Sequence, residues 1–348
     1  MNLRKIKVGV IFGGRSGEHD VSLMSATSVL KAMDKNKYEV IPIGITTEGR
    51  WITEGDPLLQ LKEKDFSAGG SIPVNLLEKM DVAFPVLHGP YGEDGTIQGL
   101  FEMLNIPYVG AGVAGSAVGM DKRMMKQIFL QSGLPTADYV TFLRRQWEED
   151  KGEAIRLVAE NIGFPCFVKP VNMGSSVGIS KVKEREQLVE AVELACKYDG
   201  EIIVEEYINC REIECSVLGN DKPRASLPGE VVPHLEFYDY EAKYTDGLTD
   251  LLLPAPLSPE ETEKVQELAI TAFLSVNACG MARVDLFLDK VSGQFYVNEL
   301  NTLPGFTQFS MYPKMWEITG LGYSDLITEL IDLALERFAE KQRNLISW

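Results

Sequence analysis

Short β-branched runs alternate with glycine-rich loops and helical patterns through the first 110 residues, and this alternation restricts the fold more than any other feature of the chain. Residues 5–12 (KIKVGVIF) are closed by Gly13-Gly14. A helical pattern follows from about Val21 to Met33, then a strand at 38–46 (YEVIPIGIT). The run MDVAFPVLHG (80–89) ends in a second glycine-rich loop, ahead of a helix near 95–104 and the short strand PYVG. Near-continuous apolar runs of this length suit parallel strands buried on both faces. Such a sheet carries its ligand loops at the strand carboxyl ends. An open parallel β/α domain is therefore expected over 1–111.

The pattern changes near Gly112. A helix at 119–132 leads through GLP to the strand YVTFL and a helix at 148–162. The strand PCFVKPV, the polar loop NMGSSVGIS, a helix at 184–198 and a strand at 201–208 (EIIVEEYI) follow. Two helices with antiparallel strands predict an α+β unit over 112–208. A third unit is expected over 209–348: the strand EIECSVLG, a loop-rich stretch at 226–254, a helix at 259–277, a β-hairpin ending at Asn301, and a terminal helix at 324–341. The fold class is thus α/β and α+β.

Composition narrows the partners. Lys+Arg 34 against Asp+Glu 51 gives a net charge of −17, which disfavours nucleic acid and anionic membrane surfaces. No apolar stretch reaches the ~18 residues of a membrane span. The run after Arg4, Lys5 and Lys7 is too short for a signal peptide. The five cysteines are scattered and form no CxxC, so neither a zinc site nor a disulfide framework is expected. Reduced thiols and a cytoplasmic location are the expectation.

The hairpin carries the most chemistry. In RVDLFL (283–288), Arg283, Asp285 and Phe287 share one face while Val284, Leu286 and Leu288 share the other. In YVNELN (296–301), Glu299 and Asn301 project together, and a turn near 291–293 pairs Asp285 with Glu299 to within one residue. Oxygen donors without imidazole or thiolate suit magnesium, which also takes phosphate oxygens. The same pattern alone also fits a solvated polar face on an edge hairpin. No GxxxxGK[ST] occurs, Gly13-Gly14 does not form a GxGxxG, and no Ser–His–Asp order supports nucleophilic hydrolysis. Instead Lys169 ends a strand and precedes NMGSSVG (172–178), a backbone-rich loop able to donate N–H groups to phosphates. Lys122 is a second candidate cation, and EIIVEEYI offers backbone groups to a purine edge. Glu18 stands on a loop before a helix, where it could hold an amine or simply favour the helix start. His19 and His88 lie on ligand loops; His234 carries no motif.

Taken together, GGRSGEHDVS, FPVLHGPYGEDGTIQG, MDKRMMK, FVKPVNMGSSVGISKV, EEYI-x-x-x-E, FYDYEAKYTDG, ARVDLFL and NELNTLPGFT resemble, in order and over nearly the whole chain, the D-alanine–D-alanine ligase family of the ATP-grasp superfamily. The resemblance implies an ATP-grasp fold behind the N-terminal β/α domain. It further implies ATP and two magnesium ions (manganese possible) as cofactors, D-alanine as substrate, a homodimer, and a role in peptidoglycan precursor synthesis. Carried over by position, Lys122 and Lys169 contact ATP phosphates, Glu205, Glu206, Tyr207 and Ile208 hold the adenine edge, and Glu212 the ribose. Asp285, Glu299 and Asn301 bind the metals. Glu18 binds the ammonium of the first D-alanine, with His88 near that subsite. Arg283 and the Gly305 N–H polarise its carboxylate. Ser175 and Tyr244 orient or deprotonate the second amine, while Ser310 and Lys243 hold the second carboxylate or close a loop. Loops 172–180 and 238–250 are expected to close over the acyl phosphate.

Related ligases take D-serine or D-lactate as second substrate. The segment FYDYEAKYTD keeps Lys243 and Tyr244, the form that resembles the D-alanine enzymes, whereas NTLPGFTQFSMYP partly resembles the resistance-type subgroup. Met311 replaces a frequent Leu and Glu206 a frequent Lys. Another amino-acid ligase of the same superfamily, or an amino-acid-binding module descended from it, remains open on motif grounds. The full Asp285, Glu299 and Asn301 set argues against the binding module.

Overall fold

The computed structural model describes residues 4–234 and 249–345, and three sheets follow one another along the chain. The first contains β1 (Ile6–Gly13), β2 (Tyr38–Ile45), β3 (Trp51–Ile52) and β4 (Val82–Val86), in the order β3-β2-β1-β4. β1 runs parallel to β2 and β4, as the alternation predicts. Helices α1 (His19–Ala32), α2 (Pro57–Lys62), α3 (Val74–Leu77) and α4 (Thr96–Met103) surround it. Successive β1 side chains enter different cores. Val8, Val10 and Phe12 pack with Leu23, Ala26 and Val29 of α1, whereas Ile11 packs with Leu77, Ile97 and Phe101. Gly9 faces the second layer, where a Cβ would lie 1.9 Å from the Met80 sulfur. The expected strand PYVG reduces to one parallel bridge from Tyr108 to Ala83.

The helix expected at 119–132 is two, α5 (Val113–Met120) and α6 (Lys122–Gln131). Asp121 between them is extended, and its side chain accepts the Met124 N–H at 2.8 Å, capping α6. Then come β5 (Tyr139–Leu143), α7 (Arg144–Glu149), α8 (Lys151–Asn161), β6 (Cys166–Pro170), β7 (Ser180–Val182), α9 (Leu188–Ala195) and β8 (Glu201–Glu206). The four strands form an antiparallel sheet ordered β5-β8-β6-β7. Its core of Val168, Val204, Val158, Leu188 and Val192 includes no residue of the other two sheets.

The third sheet holds β9 (Cys210–Gly219), β10 (Arg224–Ala225), β11 (Gly229–Pro233), β12 (Thr249–Leu252), β13 (Gly280–Asp289) and β14 (Phe295–Asn301), in the order β12-β11-β9-β13-β14 with β10 beside β9. The stretch read as loop over 226–254 supplies β11 and β12. Gly229 and Pro233 bracket Val231 and Val232, and both residue types are tolerated at strand ends. Helix α10 (Pro259–Ser275) covers one face together with Met125 and Phe129 of α6.

Two helices close the chain: α11 (Met311–Ile318), in a segment read as punctuation, and α12 (Tyr323–Lys341). Met311, Tyr312, Met315 and Trp316 recur at helical spacing and are buried. Leu326, Ile327, Leu330 and Ile331 of α12 join the core beneath β1 and β4. Each such burial stabilises by at most about 1.5–3 kcal/mol. The first sheet and the last helix therefore share one core. All five cysteines are free, and no helix among the described residues is long and apolar enough to cross a membrane.

Candidate active site

Period-2 alternation on the third sheet builds one wall of a cleft. Ile213, Cys215, Val284 and Leu286 face α10, so Glu212, Glu214, Arg283 and Asp285 face away from it. The register Asp285↔Glu299 and Arg283↔Asn301 puts the expected donors on neighbouring strands. A shift in the ladder between Asp285 and Leu286 pairs Leu286 with Val297. Asn298 and Glu299 both stay off the core, while Val297 and Leu300 remain buried.

Arg283 clasps Asp285 through two hydrogen bonds, Nε to Oδ1 at 2.6 Å and Nη2 to Oδ2 at 2.7 Å, and its Nε lies 3.2 Å from Glu214. Asn301 Oδ1 accepts the Leu303 N–H at 2.9 Å. Two carboxylates with an amide oxygen form a hard, oxygen-only set that fits a divalent ion of the magnesium type. Among the described residues no three His, Cys, Asp or Glu side chains gather as a metal site on their own, so the set rests on two carboxylates and the Asn301 amide.

The facing wall supplies cations. Lys122, at the start of α6, donates to the Met173 carbonyl at 2.6 Å and lies 3.8 Å from Glu299. Lys169, buried at the end of β6, donates to Glu205 at 2.8 Å. Burial would lower the Lys169 ammonium, but Glu205 and Glu299 outweigh it and raise it above 10.5. Burial would likewise raise the Glu205 carboxyl, yet Lys126 and Lys169 together hold it below 4.5. Glu205 thus turns inward between two lysines, so any adenine contact there falls to the backbone or the strand end. Glu206 accepts the Asp138 N–H at 2.9 Å. Tyr207 packs 6.1 Å from Phe167, with Lys181 4.0 Å above its ring. Ile208 follows β8 and is half-buried. Glu212, on β9, adds its field to Lys169.

The loop after β6 bridges to the first sheet. Ser175, at φ +48°, donates its hydroxyl to Glu18, which stands at the head of α1. His88 lies below, buried. Its Nδ1 donates to the Leu303 carbonyl at 3.0 Å, Nε2 is 3.1 Å from the Ser25 hydroxyl, and Glu93 is 3.7 Å away. Burial would lower the imidazolium, but Glu93 and Glu18 raise it overall; the buried Glu93 carboxyl is itself raised. His19 is also buried, and its Nδ1 meets the Gly14 carbonyl at 2.9 Å, which makes it a loop anchor. His234 pairs with Asp250 at 2.8 Å on the surface. Gly305 lies in the loop after β14. Ser310 stands just before α11 without a side-chain hydrogen bond to it, and its hydroxyl accepts the Thr307 N–H at 3.1 Å. Lys243 and Tyr244 lie outside the described residues, as does most of the expected lid at 238–250.

Sequence reading missed Lys126, Glu214, Glu93 and Ser25. The i, i+4 spacing of Lys122 and Lys126 and the E-x-E of Glu212 and Glu214 were available signals; Ser25 had none.

Two family profiles match the chain: one described as D-ala D-ala ligase N-terminus over residues 7–111, and one as D-ala D-ala ligase C-terminus over 128–332. The D-alanine--D-alanine ligase of Heliobacterium modesticaldum is 51% identical over 358 residues, covering 98% of each chain. That of Bacillus cytotoxicus is 50% identical, covering 98% of this chain and 99% of its own. Among solved structures, the VanG D-Ala:D-Ser ligase of Enterococcus faecalis superposes with a TM-score of 0.85 at 38% identity, over 95% of this chain and 100% of its own. The D-alanine-D-alanine ligase of Coxiella burnetii gives 0.85 at 39% identity, over 98% and 97%. The fold and cleft define an ATP-dependent carboxylate–amine ligase of the ATP-grasp type. The chain belongs to the D-alanine–D-alanine ligase family.

Proposed function

We propose that this chain joins two D-alanine molecules into D-alanyl-D-alanine for peptidoglycan precursors, converting ATP to ADP and phosphate. The observation that carries the reading is that Lys122 and Arg283 meet the carboxylates of β14 and β13, Glu299 acts on the buried Lys169 of β6, and Ser175 of the loop after β6 reaches Glu18 of the first domain.

A carboxylate is a poor acyl donor, so it first takes the γ-phosphoryl group, and ADP leaves. The amine of the second D-alanine then attacks the acyl carbon, forming the amide as phosphate departs. Lys122 and Lys169 hold the phosphates and offset their charge. Glu206 to Ile208 line the adenine edge, with Glu205 behind them, and Glu212 takes the ribose. Glu18 holds the first ammonium. Arg283 and the Gly305 N–H polarise the first carboxylate and stabilise the oxyanion. Ser175 and Tyr244 steer the proton from the second amine, while Ser310 and Lys243 hold the second carboxylate. Asp285, Glu299 and Asn301 would hold two magnesium ions, or manganese, which supply charge neutralisation at the phosphates. We assign the first D-alanine subsite to residues 1–111, with the ATP-grasp subdomains at 112–208 and 209–348. A homodimer through the N-terminal domain, tested by sedimentation, and a cytoplasmic location complete the reading.

ADP release with D-alanine but not L-alanine tests the assignment; no ADP with D-alanine, ATP and magnesium sinks it. D-Serine is the second reading, because a D-Ala:D-Ser ligase matches this architecture as closely as a D-alanine-D-alanine ligase does. Competition among D-alanine, D-serine and D-lactate across pH separates the alternatives.

A further inference from the structure

Lys126 lies one helical turn after Lys122, yet its side chain is buried against Glu205. The ammonium stands 3.4 Å from Glu205 Oε1, within ion-pair range but outside hydrogen-bond geometry. Glu205 Oε2 is taken by Lys169 at 2.8 Å. Lys126 is 1% exposed and Glu205 2%. A buried ammonium without a hydrogen bond is costly unless its charge serves something nearby.

Charge counting shows what it serves. Lys169 and Glu205 alone would make a closed, neutral pair, and the carboxylate would hold Lys169 with its whole charge. A second cation on the other carboxylate oxygen leaves these three groups one positive charge in excess; burial lowers the Lys126 ammonium, while Glu205 and Glu299 act to keep it charged. Unit charges a few ångströms apart interact strongly once water is excluded. Lys169 is the less deeply buried of the two lysines, 7% exposed against 1%, and Glu299 and Glu212 act on it. Its net attraction for an incoming polyphosphate therefore depends on Lys126. We propose that Lys126 is a positioning residue for the nucleotide: by sharing Glu205, it leaves Lys169 less fully neutralised and so better able to hold the phosphates of ATP. This rests on the assignment of Lys169 to the phosphates.

The test compares wild type, Lys126→Met, Lys126→Arg and the double variant Lys126→Met/Glu205→Gln by steady-state kinetics and by equilibrium binding of MgATP. Lys126→Met keeps the side-chain length but closes the neutral pair. It should raise the ATP KM and Kd about tenfold, the scale of a buried charge interaction partly lost, with kcat and the D-alanine KM nearly unchanged. Lys126→Arg should recover most of the affinity. The double variant, again one cation in excess, should return the ATP KM to about threefold of wild type or better if charge sharing is the mechanism. Unchanged ATP binding in Lys126→Met overturns the proposal. So does a parallel rise in both KM values that neither Lys126→Arg nor the double variant reverses. Lys169→Ala serves as the separate control: if it binds MgATP like wild type, the assignment of Lys169 has failed rather than the role of Lys126.

Discussion

At the scale of single residues, the cleft is a set of charges whose protonation is fixed by burial and by their partners. Glu205 makes the clearest prediction. Its carboxyl is held below 4.5 by Lys126 and Lys169. Its contribution to stability is therefore complete above about 4.5 and is lost as pH falls through the lower, folded value. Glu205→Gln should cost about 3 kcal/mol near neutral pH, because it strands two buried cations. It should also flatten the decline of Tm on the acid side; an unchanged acid limb in differential scanning calorimetry would refute this account. The thiols make a second prediction. Burial pushes Cys166 up to about 11 and Cys215 up to about 12. Both should resist Ellman's reagent at pH 8 in the native protein and react in urea. How legible these residues are in the sequence differs case by case. Asp285 and Glu299 could be paired from the alternation of a hairpin alone. For Lys126 the i, i+4 spacing gives the shared face with Lys122 but not the burial, because a lysine on a helix is normally solvated and only the approach of β8 turns this one inward.

Elements aim those residues, and their boundaries decide what reaches the cleft. The break at Asp121 separates α5 from α6 and starts α6 at Lys122, so that Lys122 and Lys126 leave the same face of one short helix. A helix over 119–132 is the expectation from the sequence, and the signal for the break is the capping aspartate alone. Asp121→Ala should lower stability by about 1 kcal/mol. It should also raise the ATP KM, with the D-alanine KM less affected; a stability loss with both KM values unchanged would detach the cap from nucleotide binding. The hairpin shows the opposite balance. Its strands and turn were visible in the pattern, but the irregularity after Asp285 was not, since nothing in YVNELN marks where the ladder slips. That slip keeps Glu299 facing Lys122 without exposing Val297 or Leu300. Strands β11 and β12 were missed for a related reason. A strand of four or five residues beside Gly and Pro has too few alternations to stand out.

For the whole molecule, the alternation of the first 110 residues announced a parallel sheet but not what would cover it. One face is closed by α12, more than 200 residues further along the chain, and no local pattern carries a pairing of that range. Arg337 of α12 reinforces the junction: it donates to the carbonyls of Tyr108 (2.8 Å) and Gly110, and its guanidinium lies 4.4 Å from the Tyr108 ring centroid. Gly280, at φ +72°, runs against Gly110 there, and a Cβ would come within 3.2 Å of the Gly110 backbone. Arg337→Ala should cost about 2–3 kcal/mol. In hydrogen exchange it should loosen β1, β4 and α12 together while β5, β6 and β8, with their separate core, keep their protection; uniform loosening would argue against two cooperative units. The same junction bears on biosynthesis. Translation from Val86 to Tyr323 takes roughly 10–50 s at ~5–20 residues per second. Throughout that interval Val82, Phe84 and Val86 of β4 have emerged with α1 beside them but without α12, which completes their cover. The nascent chain therefore presents a sticky apolar sheet face to the ribosome surface and to chaperones, and any slowing of elongation beyond residue 86 should lengthen its exposure to aggregation.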